Sequence, residues 1–112
     1  MIDETVIADL LASLGDDVVV VRQLIDIYAK DSPKLLAEAT QALENGDVPS
    51  LTRAAHSLKS TSASMGAVSV LNLARALEQH AKGNDMAQCA EAVRRLGPEV
   101  DDAIAAFAKL NY

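Results

Sequence analysis

The chain has little of what a β-rich, disulfide-stapled or membrane-spanning protein requires. It contains no Trp, and aromatic residues make up 3% of its 112 positions. Five Gly and three Pro are too few to turn the many short strands of an all-β domain. A single cysteine, Cys89, excludes an internal disulfide and reads as a small hydrophobe in a reducing compartment. Apolar runs such as the four valines at 18–21 fall far short of a membrane span. The opening "MIDETV" lacks the basic and apolar regions of a secretory signal. Basic residues are outnumbered: ten Lys and Arg stand against sixteen Asp and Glu, for a formal net charge of −6. That balance disfavours nucleic acid and anionic membrane surfaces as partners. The expectation is a single cytoplasmic domain over residues 1–112.

Half of the residues are apolar, with Ala and Leu dominant, and they recur at helical spacing almost end to end. A first helix is expected over about 3–14, capped by Asp3 and stopped by Gly15. A second starts near Asp16 or Asp17, with Val18, Val21, Ile25 and Tyr28 on one stripe and Val20, Leu24 and Ile27 on another. Its wide apolar arc calls for two neighbouring helices. "DSP" at 31–33 either kinks this helix or starts a new one, with Ser32 as cap and Pro33 in the first turn. "NGD" at 45–47 is a turn. A third helix runs from about Pro49 to Met65 and ends at Gly66. A fourth runs from about Val68 to Lys82, with Leu71, Ala74, Leu77, Glu78 and Ala81 at helical spacing. A fifth starts near Asp85, and "GP" at 97–98 kinks or splits it. Short connections between long amphipathic helices predict an all-α, antiparallel up-and-down four-helix bundle with a short N-terminal helix.

His56 is one of two histidines. On a wheel at about 100° per residue, Val48, Leu51, Ala55, Leu58, Ser62 and Met65 form the core stripe of the third helix, and His56 lies about 130° from its middle. A core role is therefore disfavoured. Lys59, Ser60 and Ala63, at i+3, i+4 and i+7, share its side, and the two small residues leave the imidazole accessible to another protein. A neutral imidazole is a competent nucleophile near pH 7. The product of phosphoryl attack carries roughly two negative charges, which Lys59 is placed to offset, and the same cation favours the neutral imidazole beforehand. The bland alternative is a surface histidine with a common lysine neighbour. A metal site would need His80, 24 residues on, to converge with His56 and a carboxylate such as Glu78. No nucleophile elbow and no glycine-rich phosphate loop is visible.

The words themselves carry more. "AAHSLKSTSASMGAVSVLNLARALE", residues 54–78, resembles the signature of histidine-containing phosphotransfer (HPt) domains in His56, Leu58, Lys59, Ser60, Ser62, Met65, Gly66, Ala67, Leu77 and Glu78. The upstream "DIYAKDSPKLLAEATQALENGD" resembles the family's long second helix and Gly-Asp turn. The chain departs in placing Ser60 where the family usually has glycine. Serine is still small, and its hydroxyl adds a donor.

The resemblance implies a bundle that shuttles phosphoryl groups between receiver-domain aspartates, without nucleotide binding or kinase activity of its own. It implies that His56 is the phosphoacceptor and Lys59 its phosphate-stabilising partner. Ser60 and Ala63 would provide access, Gly66 would end the motif helix, and Glu78 and Lys82 would support the site from the fourth helix. The partners implied are response-regulator receiver domains and a hybrid sensor histidine kinase, with Mg²⁺ on the receiver and no cofactor on this chain. A monomer is expected. An apolar docking patch around His56 would draw on Ala63 and on exposed residues such as Ile7 or Val20. The alternatives are a receiver- or kinase-binding bundle that is never phosphorylated, the substrate domain of a larger kinase, and a metal-binding bundle. The initiating Met favours a complete small protein over a module cut from a hybrid kinase.

Overall fold

The computed structural model describes residues 1–112 as five helices with no strand: α1 (Glu4–Ser13), α2 (Val18–Glu44), α3 (Val48–Met65), α4 (Val68–Lys82) and α5 (Met86–Ala108). Four of them begin on an aspartate. The carboxylates of Asp3, Asp17, Asp47 and Asp85 accept backbone N–H groups from the first turns of α1, α2, α3 and α5, satisfying donors that a helix start leaves orphaned. α4 has no side-chain cap. The N–H of Val68 instead donates to the carbonyl of Met1 at 3.2 Å, so the N-terminal segment supplies a partner for that helix start.

α2 packs on α3, α3 on α4, α4 on α5, and α5 back on α2, which closes a four-helix ring; α1 lies against α2 and α3 only. The body measures 44 × 21 × 18 Å, its length set by α2, whose 27 residues span about 40 Å at 1.5 Å each. The core is built from Val21, Ile25, Leu51, Leu58, Val70, Leu77, Leu96 and Val100 with interleaved alanines. Each large aliphatic side chain buried there contributes about 1.5–3 kcal/mol. Tyr28 joins three helices. Its ring meets Phe107 of α5 edge-on at 5.4 Å, and its hydroxyl hydrogen-bonds Ser62 Oγ of α3 at 2.9 Å.

Two alternatives narrow and one expectation changes. α2 runs unbroken through Pro33, and Ser32 is no cap. It is buried, and its hydroxyl donates to the carbonyl of Tyr28 one turn back at 2.7 Å. α5 likewise continues through Gly97 and Pro98 as one helix. Ile7, expected on the surface, is fully buried, because α1 lies against α2 and α3 with this residue inward; Val20 is half-buried. Conversely, Val18, Val19 and Ile27 stay exposed, so the wide apolar arc of α2 is only partly covered.

The α3–α4 turn is held from outside. Gly66 has φ +77°, a left-handed conformation that favours glycine. Its carbonyl accepts the N–H of Asp3 at 2.7 Å. A Cβ here would sit 2.8 Å from the Asp3 carbonyl oxygen and 2.9 Å from Val6 Cβ.

Candidate functional site

The short turn at Gly66 and Ala67 folds α4 back along α3, which sets residue 56 level with residue 78. Glu78 belongs to the α4 stripe that faces the bundle, and its side chain is 7% exposed. An isolated carboxylate would be expensive there. It is not isolated. Lys59 Nζ donates to Oε1 at 2.5 Å, and His56 Nδ1 lies 2.8 Å from Oε2. Lys82 Nζ, one turn along α4, is 3.7 Å from the same oxygen. The hydrogen bond from Lys59 is the largest influence holding the Glu78 carboxyl below the usual carboxylate range. Burial opposes it, while the His56 bond and the charges of Lys59 and Lys82 reinforce it. Glu78 is thus ionised at neutral pH.

An ionised carboxylate only accepts hydrogen bonds, so the nitrogen bonded to it carries the proton. In a neutral His56 the proton therefore sits on Nδ1, and the lone pair is left on Nε2. The side chain is 59% exposed, anchored at one edge and open to solvent. Lys82 is 66% exposed and Lys59 28%. With both lysines charged and one carboxylate, the cluster has a formal charge of +1 before the imidazole is counted.

The residues expected around His56 separate into two groups. Lys59, Glu78 and Lys82 form one connected cluster with it. Ser60 and Ala63 are exposed along the same helix and touch the cluster through no hydrogen bond, while Gly66 sits at the far end of α3. Lys59, expected as the phosphate-stabilising partner of His56, is hydrogen-bonded to Glu78. Glu78, expected as one support among several, binds both α3 side chains. His80 does not join His56: it follows Glu78 by two residues, about 200° round α4, and no three or more His, Cys, Asp or Glu side chains converge as a metal site would need.

One feature beside His56 escaped the sequence. A groove of about 390 Å³ lies between α2 and α3, lined by Glu38, Ser50, Arg53, Ala54 and Ser57. Arg53 stands at i−3 from His56, on the flank opposite Lys59. Its guanidinium donates to Ser50 Oγ at 3.0 Å, and that hydroxyl donates to Asp47 Oδ2 at 2.6 Å. The i−3 spacing was the available signal.

Comparison with known proteins places this geometry. The family model for the Hpt domain matches residues 23–109. The crystal structure of histidine-containing phosphotransfer protein B (HptB) from Pseudomonas aeruginosa PAO1 superposes with a TM-score of 0.88 at 27% identity, covering 96% of this chain and 91% of that one. The HPT domain of a sensor hybrid histidine kinase from Shewanella superposes with a TM-score of 0.73 at 16% identity, covering 90% and 88%, a likeness of fold. No curated protein matches the chain. A family model that covers α3, α4, α5 and most of α2, together with a bundle that superposes on HptB along nearly its whole length, settles the assignment: the chain belongs to the Hpt domain family, the phosphotransfer proteins of phosphorelay signalling.

Proposed function

We propose that the chain accepts a phosphoryl group on His56 from the phosphoaspartate of one receiver domain and passes it to another, with a hybrid sensor histidine kinase upstream. Nε2 attacks phosphorus in line. The N–P bond forms as the P–O bond to the aspartate breaks, and the electron pair leaves with the aspartate carboxylate. The imidazole gains positive charge while its Nδ1–H stays bonded to Glu78, which stabilises that charge. Loss of the group to a second receiver reverses these bonds. Mg²⁺ belongs to the receiver, and this chain supplies a positioned nucleophile and fixed charges.

In this reading Glu78 is the positioning residue. Lys59 and Lys82 keep the cluster cationic beside the incoming phosphoryl group. Ser60 and Ala63 keep the approach open, and Gly66 holds the α3–α4 turn. We read the protein as a cytoplasmic monomer; no helix is long and apolar enough to cross a membrane.

The observation that carries the reading is a half-exposed imidazole whose Nδ1 is bonded, at 2.8 Å, to a buried carboxylate. The test is incubation with a phosphorylated receiver and Mg²⁺, without ATP, for wild type and His56→Gln. Wild type should take up label that survives alkali and is lost in acid, and the variant should take up none. Equal labelling of both would move the acceptor elsewhere. No labelling from a broad panel of receivers would leave a bundle that binds its partners without being phosphorylated.

A further inference from the structure

The charges of this chain are sorted between its surfaces. Residues 48–82, which make up α3 and α4, carry Arg53, Lys59, Arg75 and Lys82 against a single acid, Glu78, for a formal +3. The rest of the chain holds six Lys and Arg against fifteen Asp and Glu. The one acid of the hairpin is the buried residue already neutralised by Lys59. Its positive charge therefore faces outward.

These cations surround His56. Arg53 and Lys59 lie one turn to either side of it on α3. On α4, Arg75 and Lys82 stand at i−3 and i+4 from Glu78, rotated about 60° and 40° in the same sense. Both arginines are exposed and neither forms an ion pair. Arg53 is held by Ser50 and Arg75 by Asn72 Oδ1 at 3.3 Å. Arg94 of α5, by contrast, is spent on Glu91 at 2.6 Å. The acids around this face are Asp47, which reaches Arg53 through the Ser50 hydroxyl, Glu38, which lines the groove with Arg53, and Glu99, which lines a second groove with Asn72.

We propose that the α3–α4 hairpin is an electropositive docking face for a receiver domain that carries carboxylates around its phosphoryl-bearing aspartate, with Arg53 and Arg75 as specificity-determining contacts. The proposal rests on the reading of His56 as phosphoacceptor. Complementary potentials raise association rates and fix orientation more than they add affinity. Here the remaining surface adds to the effect. α1, α2 and α5 each carry a net negative charge, and residues 48–82 a net positive one, so encounters with an acidic partner are biased toward the face where His56 stands.

The experiment uses the full chain and a receiver whose rim around the acceptor aspartate is net acidic, phosphorylated with acetyl phosphate. The rate constant of transfer is measured in NaCl from about 20 to about 200 mM, where screening sharpens. Three proteins are compared: wild type, Arg53→Glu/Arg75→Glu, and Arg94→Glu/Lys109→Glu, which makes the same charge change on and beyond α5. Arg53→Gln/Arg75→Gln serves as a milder form, and circular dichroism checks folding. Wild type should slow about tenfold over the salt range. The hairpin reversal should slow transfer about tenfold or more at low salt and flatten the salt response, and the reversal at α5 should change it less than about twofold. Equal slowing by both reversals would show that only net charge matters, and a salt-independent rate untouched by either would show apolar docking; each overturns the proposal. Labelling of wild type by phosphoramidate, which needs no docking, reports on the nucleophile separately. If His56 stays unlabelled, the phosphoacceptor reading falls, and the association rate constant of the receiver with the same three proteins, measured by stopped flow over the same salt range, still decides the docking face.

Discussion

Glu78 Oε2 lies 2.8 Å from His56 Nδ1 across the α3–α4 interface, so one buried carboxylate sets which imidazole nitrogen is free. Glu78→Gln keeps the shape and removes the charge. The amide can donate as well as accept, so it no longer dictates the tautomer. Phosphoryl acceptance from a receiver should slow about 10–100-fold, the cost that losing the orienting partner has for metal-bound histidines. Nitrogen-15 NMR should show His56 pass from Nδ1–H to a mixture of tautomers. An unchanged tautomer with a slowed rate would assign Glu78 a different role.

The same residue gives the fold a pH dependence. The folded pKa of Glu78 lies below its unfolded value, chiefly through the Lys59 hydrogen bond. Its ionised form therefore stabilises the fold fully above the unfolded value of about 4.3, and this contribution is lost as pH falls through the folded value. Asp47 and Glu91 are lowered in the same direction by their bonds to Ser50 and Arg94, so acid weakens every variant. The difference in thermal midpoint between wild type and Glu78→Gln isolates the site, and it should shift against wild type from pH 7 to pH 3. A constant difference across that range would contradict the assignment.

Tyr28 and Ser62 share a buried hydrogen bond at 2.9 Å. Burial pushes the Tyr28 hydroxyl pKa up, and the bond to Ser62 offsets part of the shift. Ser62→Ala leaves that hydroxyl without a partner and should cost about 1–3 kcal/mol. Tyr28→Phe should cost less, about 1 kcal/mol, because the Ser62 hydroxyl can turn back to a carbonyl of its own helix. The double variant should then be milder than the sum of the singles. Additive denaturant midpoints would show that the two groups are not coupled.

Gly66→Ala combines a left-handed backbone with a Cβ 2.8 Å from a carbonyl oxygen. Strain and displacement together should cost about 2–4 kcal/mol. A melt should show the loss, while protein kept well below its midpoint should still take label on His56. A variant as stable as wild type would mean that the N-terminal segment can move aside freely.

Helix limits were legible because the chain punctuates itself. An aspartate opens four helices, and Gly66 closes α3. The exposure of His56 followed from its angle to the core stripe. That Glu78 supports the site came only with the family resemblance, and its bonds to His56 and Lys59 followed from no periodicity. On α4 it reads as one more inward position among Leu71, Ala74, Leu77 and Ala81, and its contacts depend on the register between two helices, which no single helix encodes. Ser32 and Pro33 leave two readings open for a related reason. Capping residues beside a proline resemble a helix start, yet tertiary contacts carry α2 through, and the Ser32 hydroxyl turns to its own helix. Ile7 was misplaced because its burial depends on where α1 docks.

The family match begins at residue 23, beyond α1, yet the turn that sets the α3–α4 register is tied by the backbone of Met1 and Asp3 and crowded by Val6. The interchangeable unit of this protein is thus larger than the recognisable one. A chimera that transplanted residues 23–109 alone would carry the histidine and its carboxylate but leave behind the fastening that keeps them level. A substitution at residues 1–6 could accordingly be felt at His56, ten residues up α3 from the turn, with no contact between the two.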